Sequence, residues 1–328
     1  MYDLIIIGLG PAGLTAGIYA SRYRLKNLII GKELGGTITL AHAVENYPGF
    51  ESVSGVEWSQ KTLEQTKKLG SEIVYGLVEK IERLDVGYKV ILRDGQKQEA
   101  RSVIIATGSE RRKLNVPGET EYLGRGISYC TTCDIPFYKE KTVAMIGGGD
   151  AAVSGAIHGA EFADKVYIIY RKDKLRAEPI WTEEALQNKK IEVIYNTNVI
   201  KILGTEEIKD TDEKSKIDQN QDKVGGVELD KPYNGSNILP VDGVFIEIGA
   251  VPGTSLAQNL GVALDEVNYI LVGEDMSTNL PGVFGAGDLT DNSKNFAQMI
   301  GACAQGAIAA ASAYKYLKGE KAPRILGA

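Results

Sequence analysis

Leu4-Ile5-Ile6-Ile7 runs directly into Gly8-Leu9-Gly10-Pro11-Ala12-Gly13, and Leu14 to Tyr23 follows with helical spacing. An unbroken aliphatic run of this length reads as a strand buried on both faces. G-x-G-x-x-G between a strand and a helix has a mechanism. The first Gly allows the tight turn, the second lets a pyrophosphate approach the backbone, and the third lets helix and strand pack closely. The helix N-terminus then offers free N–H groups and partial positive charge to the phosphates. Asn27 to Ile30 is a second short strand, so the chain opens as a β-α-β unit.

The pattern returns once. Thr142 to Ile146 reads as a strand, Gly147-Gly148-Gly149-Asp150-Ala151-Ala152 as the loop, Val153 to Phe162 as the helix and Lys165 to Tyr170 as the next strand. Gly147, Gly149 and Ala152 make the G-x-G-x-x-A variant. Two more strands end in glycine turns, Val103 to Gly108 and Gly282 to Asp288, and Gln298 to Lys318 is an alanine-rich helix. The charged stretch Thr205 to Lys223 reads as a solvated hairpin or loop. Arg111 to Gly118 and Leu239 to Gly243 each combine Pro and Gly and are the expected domain crossings.

The chain has 328 residues, which at about 150 per domain predicts two domains. With 43% hydrophobic and 24% charged residues it is neither disordered nor fibrous. A net charge of −6 gives no electrostatic footprint for nucleic acid. Three cysteines exclude a disulfide-stapled scaffold, and 38 glycines point to repeated close approach of backbone to ligand. No basic segment precedes Leu4, glycines interrupt the first apolar run, and none reaches the ~18 residues of a membrane span. The expectation is a cytoplasmic protein without membrane or nucleic-acid partners.

A ribose-binding acid is expected at the end of the second strand. That strand ends at Ile30-Gly31, and Glu33 is the nearest acid, with Gly35-Gly36-Thr37 just beyond. At the corresponding place in the second unit there is no acid. Arg171, Lys172 and Arg176 cluster in its stead. Cations there favour a ribose 2′-phosphate, so NADPH is expected, with NADH as the alternative.

Cys130-Thr131-Thr132-Cys133-Asp134 is a C-x-x-C-D motif. Such a pair can close a small disulfide, and each thiol can depress the other's pKa. Zinc would need four ligands, but there is no second C-x-x-C, and His42 and His158 stand singly, so no metal is expected. A static disulfide is uncommon in a cytosolic chain. A redox-active dithiol fits best, with Asp134 as the proton relay or as a turn residue. Cys303 reads as a small core residue.

Taken together, GLGPAG, GG with ENYPG, IIATG, YCTTCD, GGGDAA, YRKDKLRA and GVFGAGD resemble the low-molecular-weight thioredoxin reductases over essentially the full length. The resemblance implies an α/β fold of two Rossmann-like (three-layer ββα type) nucleotide-binding domains, the second inserted into the first. The expected boundaries are 1–112 and 243–328 for the FAD-binding domain and 113–242 for the NAD(P)H-binding domain that carries the C-x-x-C. It also implies that Gly8, Gly10, Pro11, Ala12 and Gly13 hold the FAD pyrophosphate. Gly36, Thr37 and Asn46 would lie near the flavin, with Thr107, Gly108, Gly287, Asp288 and Gln298 completing that site. Gly147, Gly149, Asp150, Ala151, Arg171, Lys172 and Arg176 would bind the nicotinamide nucleotide. Cys133 would face the flavin, Cys130 would attack the partner disulfide, and Asp134 would be the acid/base. Thr37, Ala297, Tyr170, Lys172 and Ser154-Gly155 depart from the family pattern.

The implied activity passes electrons from NADPH through FAD and a Cys130–Cys133 disulfide to thioredoxin or a thioredoxin-like or glutaredoxin-like protein, in a homodimer. Nicotinamide and dithiol would both need the flavin, so the middle domain is expected to rotate between two docked states. The alternatives are a flavin-dependent dithiol oxidase, a reductase of another small redox protein, or a non-catalytic redox sensor. The basic cluster argues against the oxidase, and the intact C-x-x-C-D argues against the sensor.

Overall fold

Successive residues of the first strand, β1 (Tyr2–Ile7), enter two different apolar clusters: Leu4 and Ile6 one, Ile5 and Ile7 the other. A strand with both faces buried belongs at the centre of a sheet covered on both sides. Each of these side chains contributes about 1.5–3 kcal/mol by leaving water. The computed structural model describes residues 1–41, 43–208, 223–294 and 296–319. It divides into unit 1, Met1–Glu110 with the chain from Val251 onward, and unit 2, Arg111–Ala250.

Unit 1 begins with β1, α1 (Pro11–Arg22), β2 (Asn27–Gly31), α2 (Gly55–Lys68) and β3 (Glu72–Tyr75). The strands β4 (Val78–Arg83), β5 (Tyr88–Leu92) and β6 (Lys97–Ile105) follow. The helix expected from Leu14 starts three residues earlier. Gly10 is its N-cap and Pro11 its first residue, where the missing N–H breaks no helical bond. β7 (Ser109–Arg111) carries the chain into unit 2.

Unit 2 runs through β8 (Ile127–Ser128), α3 (Thr131–Asp134), β9 (Thr142–Ile146), α4 (Asp150–Phe162), β10 (Lys165–Tyr170), α5 (Pro179–Gln187) and β11 (Ile191–Tyr195). It continues with β12 (Val199–Gly204), α6 (Thr205–Ile208), β13 (Val224–Tyr233), β14 (Ser236–Pro240) and β15 (Gly243–Ile246). Of the stretch expected to be a solvated loop, Thr205–Ile208 is a helical turn and 209–222 lies outside the described residues. The chain returns along β16 (Ala250–Pro252) and ends with α7 (Ser255–Leu260), β17 (Val283–Gly285) and α8 (Met299–Lys318).

The sheet of unit 1 has the order β3-β2-β1-β6-β5-β4, with β17 also paired to β6. β6 changes partners along its length. Lys97 to Ala100 pair antiparallel with β5, and Val103 to Ile105 pair parallel with both β1 and β17. Unit 2 has a parallel sheet, β11-β10-β9-β15-β8, and a separate antiparallel ribbon, β12-β13-β14.

The second crossing corrects the expected boundary. It falls at 250–251, not within Leu239–Gly243, and the first falls at 110–111. β15 pairs with β9 inside unit 2, and all four of its residues are buried. Gly243 is there for packing: a Cβ on it would lie 2.2 Å from Cε1 of Tyr138. The places where the chain enters and leaves are tied on both sides. Gly253 N–H donates to Gly108 O at 2.9 Å in unit 1, and Arg112 N–H donates to Gly249 O at 3.0 Å in unit 2.

Candidate functional site

In unit 1 the loop between β1 and α1 is held against the sheet. Gly8 has φ +128°, and a Cβ there would lie 2.0 Å from Ala106 O. Gly13 is equally closed, 1.9 Å from Gly8 O. Gly10 is different: its missing Cβ meets only Gly35 O, at 3.6 Å. Gly36 in turn faces Gly10 Cα at 3.9 Å and starts the short 3-10 turn that contains Thr37. Gly10, Gly35 and Gly36 thus line a gap bare of side chains at the start of α1. No side chain caps that helix, so its first N–H groups are free for an anion.

The other residues expected to hold FAD come from sequence-distant pieces of unit 1, and Thr107 and Gly287 lie against its glycine loop. Gly287 (with Asp288 next to it) is so close to Ala12 that a Cβ would lie 3.1 Å from the alanine's own. Gln305 holds this turn: its Oε1 accepts from Gly287 N–H at 2.8 Å and from Thr290 Oγ1 at 2.9 Å. Burial pushes the Asp288 carboxyl up from its ordinary value, and no cation or donor offsets this among the described residues. An acceptor desolvated without a partner is suited to the hydroxyls of a ribitol chain. Thr107 Oγ1 donates to Gly253 O at 2.7 Å, fixing the turn at Gly108. Asn46 Nδ2 donates to Gln298 Oε1 at 3.2 Å, and Gln298 is the N-cap of α8. Glu33 is exposed and paired with Lys32 at 2.6 Å.

Cys303 is buried in α8, as expected of a core residue. Its thiol is 3.9 Å from Pro11 O and 3.9 Å from the Tyr47 hydroxyl, and burial raises its pKa. Tyr47 stands next to Asn46 and packs edge-on to Trp58 at 5.6 Å. Sequence reasoning missed Gln305 and Tyr47. The one available signal for Gln305 was a single amide in the run of small and apolar residues from Met299 to Ala311.

Unit 2 repeats the loop geometry with different surroundings. Gly147 has φ +143°, and its N–H donates to Ile169 O at 3.1 Å. Gly149 is the N-cap of α4, which again has no side-chain cap. Asp150 Oδ1 accepts from Glu178 N–H at 2.7 Å, and Ala151 is exposed. Arg176 returns to this loop. Its N–H donates to Gly148 O at 2.8 Å, and its Nε lies 3.4 Å from where a Gly149 Cβ would be. Arg171 and Lys172 are exposed at the end of β10, and no carboxylate pairs with any of these three cations among the described residues. A helix N-terminus beside unpaired cations fits a phosphorylated dinucleotide.

The same unit carries the cysteines. Cys130 and Cys133 form a disulfide with Cα atoms 5.3 Å apart. Cys130 is the N-cap of α3, and Cys133 N–H donates to its Sγ at 3.2 Å. Cys133 is exposed, whereas Cys130 and Asp134 are half-buried. Asp134 N–H donates to Cys130 O at 3.3 Å. His158 is half-buried, with Nδ1 3.4 Å from Glu161, and His42 lies outside the described residues. Among the described residues no helix is long and apolar enough to cross a membrane.

The pyridine nucleotide-disulphide oxidoreductase family model matches residues 2–309. A thioredoxin reductase of Listeria monocytogenes is 42% identical, covering 97% of this chain and 94% of its own. Among solved structures, the thioredoxin reductase of Lactococcus lactis superposes with a TM-score of 0.88 at 36% identity, over 98% of this chain and 100% of that one. That of T. acidophilum gives 0.86 at 35% identity, over 96% and 98%.

Proposed function

The chain belongs to the pyridine nucleotide-disulphide oxidoreductase family, and from that premise we propose that it is a thioredoxin reductase. It carries electrons from NADPH through FAD to Cys130–Cys133 and on to the disulfide of a thioredoxin. The observation that carries this reading is the Cys130–Cys133 disulfide at the start of a one-turn helix, in the same unit as the second glycine loop.

Bound FAD would supply the two-electron chemistry that links a nicotinamide to the Cys130–Cys133 disulfide. The chain's own residues bind, orient and move protons. Gly10 and Gly36 leave room for the FAD pyrophosphate at the start of α1, Asp288 accepts from the ribitol, and the Asn46–Gln298 pair orients the flavin end. Gly149 leaves the nicotinamide nucleotide's phosphates room at the start of α4. Arg171, Lys172 and Arg176 supply charge for a 2′-phosphate, which favours NADPH over NADH. Once the disulfide is reduced, the Cys130 thiolate attacks the partner disulfide and one partner sulfur leaves as thiolate. Cys133 then attacks the mixed disulfide, which re-forms Cys130–Cys133 and releases the partner as a dithiol. Asp134, next to Cys133, exchanges the proton of that thiol. A cytoplasmic homodimer is part of the same proposal, with a glutaredoxin-like protein as the second candidate partner.

The test is anaerobic titration of the FAD-loaded protein with NADPH and NADH side by side, followed by addition of thioredoxin. Bleaching by NADPH at lower concentration than by NADH, then reduction of thioredoxin, is expected. A flavin bleached by neither nucleotide, or reduced flavin that leaves thioredoxin oxidised, overturns the proposal.

A further inference from the structure

Thr131, inside the C-x-x-C, has a buried side chain whose hydroxyl donates to Glu247 Oε1 at 3.2 Å. Met145 Sδ is 3.7 Å from the same hydroxyl. Glu247 is itself only 6% exposed. Its other oxygen, Oε2, accepts from Arg111 Nη1 at 2.5 Å. Arg111 is the first residue of unit 2, and its Nε is buried without a partner. Burial pushes the Glu247 carboxyl up, and Arg111 and Thr131 oppose that shift. A buried ion pair is costly to desolvate and is weak evidence of a stability role. None of the electron-transfer steps above uses it. What it touches is the dithiol helix.

We propose that Glu247 is a positioning residue for the Cys130–Cys133 pair, acting through Thr131, with Arg111 as the cation that holds it. A single helical turn cannot fix its own geometry, because nucleation orders several residues for one hydrogen bond. It needs outside anchors, and α3 has one on each side of Cys130. Before it, the Tyr129 hydroxyl donates to Glu119, a buried carboxylate that also accepts from Leu114 N–H at 2.7 Å and Asn115 N–H at 2.5 Å. After it, Thr131 is held by Glu247. Cys130 lies between the anchors, and Cys133 N–H, two residues past the second, points at its Sγ. In the reduced pair the same N–H stabilises a thiolate on Cys130. Freeing Thr131 loosens that contact and lowers the thiolate fraction at a given pH.

The inference rests on reading Cys130–Cys133 as the redox pair, and thioredoxin turnover by the unaltered protein tests that reading separately. The experiment uses the holoenzyme, reduced with dithiothreitol and freed of it anaerobically. It is then alkylated with iodoacetamide at neutral pH, and the rates at Cys130 and Cys133 are read by peptide mass spectrometry. Thr131→Val, which keeps the shape but not the hydroxyl, lowers the Cys130-to-Cys133 rate ratio ~2- to 10-fold, the worth of one hydrogen bond. Thr131→Ser restores it to within about twofold. Glu247→Ala lowers the ratio as Thr131→Val does. An unchanged ratio in Thr131→Val, or no restoration by Thr131→Ser, overturns the inference even if Glu247→Ala fails to fold. A lowered ratio in a protein that turns over no thioredoxin leaves the positioning role standing and overturns the functional reading alone.

Discussion

Asn46 and Gln298 stand 252 positions apart in the chain and are joined by one amide hydrogen bond of 3.2 Å. Each is half of a device that neither local sequence defines. Asn46 belongs to a loop pinned by Tyr47 against Trp58, and Gln298 is the cap of α8. The pair thus brings together an early loop and the last helix of unit 1, both expected at the flavin end of FAD. Asn46→Ala is expected to weaken FAD binding ~2- to 10-fold, the range for one lost hydrogen bond. Fluorescence titration of the apoprotein with FAD reads this directly, and an unchanged dissociation constant would show that the pair has no part in holding the cofactor.

The glycines of the first loop separate into two kinds. Gly8→Ala places a Cβ 2.0 Å from Ala106 O on a backbone with φ +128°, so the apoprotein itself should lose about 2 kcal/mol or more. Gly10→Ala meets nothing nearer than Gly35 O at 3.6 Å. Its apoprotein should melt close to the parent, while FAD affinity falls. Thermal melts of both apoproteins beside FAD titrations test the contrast. Equal melting losses in the two variants would contradict it.

Asp288 should show a trade-off between stability and binding. Its folded-state pKa lies above the ordinary 3.8 because burial penalises the carboxylate. Between the ordinary and the raised value the folded chain binds more protons than the unfolded one, so stability falls as pH rises. The contribution is fully present below the ordinary value and gone above the folded-state value. Asp288→Asn lacks this loss. At neutral pH its apoprotein is expected to melt above the parent apoprotein, yet to bind FAD more weakly. Melting curves from about pH 4 to about pH 8 check the sign, and a variant less stable than the parent at neutral pH would refute it.

Arg176 lies over the second loop and is tied to it through its backbone N–H, which donates to Gly148 O. Arg176→Ala is expected to raise KM for NADPH roughly 10-fold, the worth of a charge-assisted hydrogen bond, with little effect on NADH. Added salt should narrow the gap between the two nucleotides in the parent. Equal losses for both would assign Arg176 to the shared pyrophosphate instead of the 2′-phosphate.

Local pattern made much of this protein readable. β1, β9 and β10 announce themselves by aliphatic runs, and α1 and α4 by the glycine loops before them, because a covered strand and an uncapped helix start are short-range demands. The second crossing was misplaced for an equally physical reason. Pro240 and Gly243 punctuate like a linker, but Pro240 ends a ribbon strand and Gly243 makes room for the Tyr138 ring. C-x-x-C identified the cysteines, yet nothing near Glu247 or Glu119 in sequence marks them as anchors of that motif. Their partners are Thr131 and Arg111 for one and Tyr129 for the other, and only folding brings these side chains together. The same holds for Gln305 and the Asn46–Gln298 bond.

Just inside the two crossings, Gly108 and Gly253 of unit 1 are one backbone hydrogen bond apart. Everything between them could therefore be excised and the ends joined by a few flexible residues without pulling on β6 or on the turn that Thr107 holds. In evolutionary terms such an arrangement would make unit 2 a replaceable cassette. Under the assignment proposed above, a chain built this way would exchange its electron outlet and nucleotide reader as one piece and leave its flavin holder intact.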